Sequence, residues 1–147
     1  MGFKAWEDVA ESAKRCDVAA KVLTPDESHK VSNEIVSHFQ LEISGRNLEI
    51  GVNSKSIPLE PYERFISFFL NKSPIHILFD YPSHKNPVVY LEKACEFSPV
   101  MWDSYVHQYF VADAEKTYLF AVNPYCIEVT GSAIDCIPTC LFSPSLK

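Results

Sequence analysis

Three apolar runs separated by two short turns occupy the C-terminal third of the chain, where residues 104–130 read SYVHQYFVADAEKTYLFAVNPYCIEVT. Residues 104–112, 117–122 and 125–130 are rich in the aromatic and β-branched side chains that favour strands. The turns between them, 113–116 and 123–124, contain Asp, Asn and Pro, which are typical turn residues. Strands joined by such short turns pair in antiparallel order, so this stretch predicts a β-meander.

The N-terminal part of the chain favours two helices. Residues 3–23 repeat apolar side chains at three- and four-residue steps, which predicts an amphipathic helix ended by Pro25. A second helix is predicted to begin directly afterwards, because Thr24, Pro25 and Glu27 form a capping-box pattern. We expect this second helix to end near Ile35.

The middle of the chain mixes the helical and strand periods. The segments predicted there are a β-hairpin of strands 39–43 and 48–52, a loop 53–61, a helix 62–71, a buried strand 75–79 and a loop 82–87. Residues 88–96 remain ambiguous, since Val88, Val89 and Tyr90 favour a strand, whereas Pro87 at a helix start favours a helix; we take the helix.

This order of elements predicts the fold class. We expect an α+β fold with N-terminal helices, a β-hairpin, and a C-terminal antiparallel meander in one sheet packed against helices. The length of 147 residues suits a single domain over residues 1–147, with residues 143–147 as a mobile tail.

Composition and charge exclude several classes of protein. Apolar residues make up 47% of the chain, which excludes a disordered protein. The net charge of -6 argues against binding of nucleic acid, because such binding needs a basic surface. The start of the chain lacks the apolar run of a secretory signal, and the longest dense apolar stretch, 65–70, is too short to cross a bilayer. We therefore expect a cytoplasmic protein that does not bind membranes.

The sequence contains no clear motif for catalysis or for binding a cofactor or metal. The four glycines form no phosphate-binding loop, and neither a nucleophile elbow nor a zinc-protease helix motif is present. The five cysteines are irregularly spaced, which favours reduced thiols over a disulfide framework. Cys136 and Cys140, even with Cys126 and His107, lack the second close pair typical of structural zinc sites. We predict no catalytic residues, no cofactor and no metal.

Negative charge and aromatic side chains occur together in the C-terminal third. Residues 101–147 hold five acids and two bases, whereas residues 51–100 are neutral overall. The simplest interpretation is that solvated acidic turns surround an aromatic core. The alternative is a surface for a basic protein, in which aromatic side chains supply contact area and carboxylates steer association. The candidate partner-binding residues are Asp80, Trp102, Asp103, Tyr105, Tyr109, Asp113 and Glu115.

Four stretches within this region, 101–105, 110–113, 117–121 and 127–131, resemble the C-terminal half of small bacterial immunity proteins. These proteins are the antidotes encoded beside polymorphic and contact-dependent inhibition toxins. The resemblance covers roughly residues 88–131 and lies in the acidic α+β character and the aromatic-rich meander. It implies a non-enzymatic protein that binds and blocks a basic toxin domain, often a nuclease. The alternative hypotheses are a small Cys-dependent enzyme and a subunit of a phage or secretion assembly.

Overall fold

The computed structural model describes residues 4–44, 47–49, 55–58, 73–79, 87–104, 106, 108–123 and 126–131. The helices in these ranges are α1 (Ala5–Arg15), α2 (Pro25–His38) and α3 (Phe97–Asp103), and a short 3-10 turn (Ala94–Glu96) precedes α3. The strands are β1 (Ala20–Val22), β2 (Glu42–Ser44), β3 (Asn47–Glu49), β4 (Lys55–Pro58), β5 (Ile75–Leu78), β6 (Val89–Leu91), β7 (Tyr109–Asp113), β8 (Tyr118–Val122) and β9 (Cys126–Gly131).

Seven of these strands form one antiparallel sheet in the order β1-β6-β5-β7-β8-β9-β4. The predicted meander is confirmed as β7, β8 and β9, in which Phe120 pairs with both Val111 and Val129. The predicted hairpin also forms, as β2 and β3, but it is a separate two-stranded sheet. These elements confirm the α+β class, with N-terminal helices and a C-terminal meander.

The two faces of the large sheet carry separate hydrophobic clusters. Successive residues of β7 alternate between them, since Tyr109 and Val111 belong to one cluster and Phe110 and Ala112 to the other. Helices α1 and α3 pack on the first face, which we call the α1/α3 face, and α2 packs on the second, the α2 face. Because both faces are covered here, β7 and β8 are buried at every position and read as continuous apolar runs.

Helix α1 is shorter than predicted, because the chain turns at Asp17 and then forms β1. The backbone of Asp17 is left-handed, with φ 57°, and the amide of Val18 donates to the carbonyl of Ala13 at 2.8 Å. The amide of Asp17 also bonds back to Lys14, which completes a Schellman cap. Helix α2 ends in the same way at Gln40, with φ 52°. Neither cap uses the glycine that usually marks such an end, so the end of α1 at Asp17 is not predictable from a glycine.

Helix α2 begins as predicted and extends to His38, three residues beyond the expected end. The hydroxyl of Thr24 accepts from the amide of Glu27 at 3.1 Å, and the Glu27 carboxylate accepts from the amide of Thr24 at 3.1 Å. This capping box is confirmed, and Pro25 occupies the first turn, where its missing amide hydrogen costs nothing.

The helix predicted over 88–96 is wrong. Residues 89–91 form β6, which pairs with β1 on one side and β5 on the other, and only residues 94–96 form a 3-10 turn. Two neighbouring strands satisfy the backbone of β6, so the strand propensity of Val89 and Tyr90 prevails. The segment 97–103, for which no element was predicted, forms α3, and the strand predicted over 104–112 occupies Tyr109–Asp113 instead.

The loop predicted over 53–61 is also wrong in part, since residues 55–58 form β4. This strand lies at the edge of the sheet, opposite β9, with Pro58 paired to Cys126. Proline is tolerated in an edge strand because one side of the strand needs no amide donor. The other edge strand, β1, carries the exposed Lys21, a residue type that discourages edge-to-edge association.

The predicted buried strand 75–79 is confirmed as Ile75–Leu78. The predicted helix 62–71, most of the loop 82–87 and the tail 143–147 lie outside the described residues. Within the described ranges, no helix has the length and hydrophobicity needed to cross a membrane.

Candidate functional site

An open groove lies between α2 and the β1 side of the sheet, with a cavity volume of about 390 Å³. Its floor is a row of side chains on adjacent strands, because Lys21 pairs with Tyr90 and Tyr90 with His76. The wall is one face of α2, formed by residues spaced three or four apart. The full lining is Lys21, Leu23, Glu27, Lys30, Val31, Glu34, His76 and Tyr90. Beyond His76 the row continues with the small Ala112, which belongs to the same hydrophobic cluster as Ile35 of α2.

The charges of the groove are arranged in pairs that link α2 to the sheet. Lys21 Nζ lies 3.9 Å from Glu27 Oε2, and Lys116 Nζ lies 3.4 Å from Glu34 Oε2. Both glutamates therefore have a cationic neighbour. Lys30 makes no ion pair with any described residue. The lining itself holds two lysines and two glutamates, whose charges sum to zero, while Lys116 and the buried Asp113 act on His76 from beside the groove.

His76 is the titratable group of the groove floor. Burial lowers the pKa of this imidazole, and the positive charge of Lys116 lowers it further, whereas Glu34 and Asp113 act in the opposite direction. The ring is therefore neutral at pH 7, with one nitrogen that donates and one that accepts. It lies beside the ring of Tyr90, with the two ring centroids 5.4 Å apart. The two ring planes are inclined by 52°, so the rings form an angled floor rather than one flat surface.

A second surface feature lies on the opposite side of the sheet, at α3. Trp102 is 57% exposed, the one large hydrophobic side chain among the described residues that is exposed to this extent. The next residue, Asp103, accepts from Arg15 Nε of α1 at 2.7 Å. The α1 and α3 helices are further joined where the hydroxyl of Ser12 donates to the carbonyl of Val100 at 2.5 Å.

The ion pair at α3 is surrounded by further negative charge. The hydrogen bond to Asp103 raises the pKa of Arg15 above its ordinary value, and the nearby charges of Asp8 and Glu11 also raise it. The same hydrogen bond lowers the pKa of Asp103. Three carboxylates thus lie around one guanidinium, with a net charge of -2. We call Trp102, Asp103, Asp8 and Glu11 the Trp102 patch.

The other predicted partner-binding residues are not brought together with this patch. Tyr109 is fully buried, and its ring packs against Phe97 with centroids 5.7 Å apart. Asp113 is also fully buried; its carboxylate accepts from the amides of Thr117 at 2.7 Å and Tyr118 at 3.2 Å, and from the Thr117 hydroxyl. These contacts hold the β7–β8 turn, so both side chains stabilise the fold and neither reaches a partner.

Glu115 is exposed in that turn, whose next residue, Lys116, pairs with Glu34 of α2. The turn thus adjoins the α2 layer, whereas Asp103 lies on the α1/α3 face. Asp80 and Tyr105 lie outside the described residues. Of the seven candidates, Trp102 and Asp103 are therefore the two that the structure places side by side at the surface.

The described cysteines do not assemble a nucleophile site. The thiol of Cys16 lies 3.8 Å from the carbonyl of Pro99, Cys126 lies 3.9 Å from the Asn123 amide nitrogen, and Cys95 is exposed. Within the described ranges, no hydrogen bond joins a cysteine to a histidine. The same ranges contain no group of three or more metal-ligating side chains.

Sequence reasoning missed the groove, because its lining comes from four separate segments that only the strand register and the position of α2 bring together. Periodicity along α2 places Glu27, Val31 and Glu34 on one helix face, but not opposite His76. Comparison with protein-family models, with curated proteins and with solved structures finds no match to this chain.

Proposed function

We propose that this chain is a non-enzymatic immunity protein of the cytoplasm, which binds a basic toxin domain in a stoichiometric complex and blocks it. A nuclease is the class of toxin that fits best, because its active-site cleft must be basic to hold nucleic acid. The resemblance of residues 88–131 to immunity proteins supports this proposal.

The observation that carries the proposal is the exposed Trp102, which directly precedes Asp103 on the surface of α3. Burial of a Trp side chain in a partner supplies much of the binding free energy in many protein interfaces. Asp103 is paired with Arg15, and the charges of Asp8 and Glu11 also act on that guanidinium, so the carboxylates of this group outnumber its one cation. An apolar anchor within negative charge is complementary to a basic protein, and its carboxylates accelerate the encounter.

The first experiment tests whether the chain neutralises such a protein. The tagged full-length chain is purified from the organism that makes it, and any basic protein that copurifies is expressed alone and together with the chain. We expect that protein to be toxic alone and tolerated in the presence of the chain. Inhibition in vitro should be complete only at an equal molar amount. A chain that inactivates the toxin at a small fraction of that amount would be an enzyme, which would contradict the proposal.

The second experiment locates the interface. Trp102→Ala should weaken binding of the copurified protein at least about 30-fold, the effect of a strong interface residue. His29→Ala, an exposed substitution on α2 at the opposite side of the sheet, is the control and should leave the affinity unchanged. If the two variants bind equally well, the Trp102 patch is not the interface.

The third experiment tests the role of charge. Asp103→Asn should slow association and reduce the dependence of the association rate on salt, with a smaller effect on dissociation. Loss of the ion pair with Arg15 should leave the free energy of folding little changed, since both side chains are largely exposed. An association rate that is independent of salt in the unsubstituted chain would exclude electrostatic steering.

A further inference from the structure

The groove on the α2 face has the shape of a small-molecule site. Its volume of about 390 Å³ lies in the lower part of the range for ligand pockets in proteins, which is about 300–1,000 Å³. Leu23, Val31 and the ring of Tyr90 supply apolar surface, while His76 supplies a polar group on the floor. Such a mixture of apolar lining and a few polar groups is typical of sites that bind a compact organic molecule.

The charges of the groove determine which sign of charge on the ligand is favoured. Glu27 and Glu34 each lie beside a lysine, so their charge is balanced within the protein. Lys30 also lines the groove, and no described carboxylate balances its charge. A cationic ligand would meet this ammonium group without a free carboxylate to offset it, whereas an anionic ligand would be attracted.

The two aromatic rings of the groove floor favour a ligand with a planar ring. Tyr90 and His76 lie on neighbouring strands, with centroids 5.4 Å apart and ring planes inclined by 52°, so a ligand ring can lie on one of them and meet the other at an angle. A planar ring can stack on such surfaces with an offset or edge-to-face geometry. The neutral imidazole can also donate to a carboxylate oxygen or accept from a hydroxyl group.

We propose that the groove between α2 and β1, β6 and β5 is a binding site for a small aromatic carboxylate, with the ring on Tyr90 and His76 and the carboxylate at Lys30. This site is separate from the Trp102 patch, which lies on the other face of the sheet. The two proposals can therefore fail independently.

An NMR titration of the full-length chain tests the site. The probes are benzoate, benzamide and benzylammonium, which share one ring but carry a negative, zero and positive charge. We expect benzoate to shift the backbone amides of Lys21–Leu23, Glu27–Glu34 and Tyr90, and to saturate in the millimolar range. Benzamide should bind more weakly than benzoate, and benzylammonium should bind more weakly still.

A matched pair of substitutions tests the role of Lys30. Lys30→Gln should weaken benzoate binding about two- to fivefold, as expected for loss of one exposed ion pair. Lys14→Gln removes the same charge from an exposed position of α1 and should leave benzoate binding unchanged. Glutamine is a good helix former, so both variants should fold. The proposal is overturned if benzylammonium binds as tightly as benzoate, if the shifted amides lie outside the groove, or if the two variants behave alike.

Discussion

The two faces of the seven-stranded sheet are covered in different ways. Twenty described residues form the hydrophobic cluster of the α1/α3 face, whereas ten form that of the α2 face. On the first face two helices are joined to each other by the Ser12–Val100 hydrogen bond and the Arg15–Asp103 ion pair. On the second face, within the described residues, helix α2 shares a hydrophobic cluster with Ala112 and Ala121 and also borders the groove.

Because their helices are arranged differently, the two faces carry two different kinds of surface that a protein can use for recognition. On the α1/α3 face, the feature that we propose for recognition is the exposed side chain of Trp102 on α3. On the α2 face, as far as the described residues show, it is a concave groove with a half-buried imidazole. A projecting aromatic side chain suits a protein partner, whereas a groove of this volume suits a small molecule.

The largest difference in folding stability should appear between alanine substitutions of two aromatic residues of α3. Phe97 is fully buried against Tyr109, so Phe97→Ala should lower the free energy of unfolding by about 3–5 kcal/mol. Trp102 is 57% exposed, so Trp102→Ala should lower it by clearly less than Phe97→Ala does. Urea unfolding followed by circular dichroism measures both values. Equal losses would mean that Trp102 supports the core and is not available to a partner.

The sequence predicts the parts of the fold that depend on local signals. Helix α2 is marked by the capping box at Thr24 and Glu27, and the meander by strand propensity and turn residues. The errors arise where distant contacts or an unusual cap decide the structure. β6 is a strand because it lies between β1 and β5, and α1 ends at Asp17 without a glycine.

The candidate site is less predictable than the fold, because residue type alone does not reveal exposure. Trp102 and Tyr109 are both aromatic residues of the acidic C-terminal third, yet one is exposed and the other fully buried. Asp113 gave a signal that could have been used: an Asp that opens a tight turn often accepts from backbone amides a few residues later. Its burial follows from that local role.

A second test compares two buried serines one turn apart on α2. The hydroxyl oxygen of Ser28 accepts from the buried amide of Val88 at 2.9 Å, so Ser28→Ala should cost about 1–3 kcal/mol by leaving that amide unpaired. The hydroxyl of Ser32 is buried without a hydrogen-bond partner among the described residues. Ser32→Ala should therefore be neutral or slightly stabilising in the same unfolding measurement. A loss of similar size for both would show that Ser32 has an equivalent bond.

A third test concerns the left-handed caps that end α1 and α2, one on each face. Gln40→Gly should raise the free energy of unfolding by up to about 1 kcal/mol, because glycine adopts a positive φ without the steric cost of a side chain. Asp17→Gly should raise it less, since Asp tolerates this conformation better than Gln. Thermal unfolding checks both, with Gln40→Ala as the control that should bring no gain. A larger gain at Asp17 would contradict this ranking.

The smallest expected effect is a pH dependence of folding stability that arises on the α2 face, where all three described histidines lie. Burial and Lys116 lower the pKa of His76 in the folded chain, so the unfolded chain binds more protons as the pH falls below about 6.5. The stability that depends on the neutral imidazole is present above that pH and is lost as the pH falls toward the lower pKa of the folded state.

Between pH 7.5 and 5.5 the unsubstituted chain should therefore lose more stability than His76→Gln, as measured by urea unfolding. Lys116→Gln keeps the imidazole but removes a charge that opposes its protonation, so its loss should fall between those two. Parallel curves for all three proteins would show that the imidazole is not held neutral by its place in the groove.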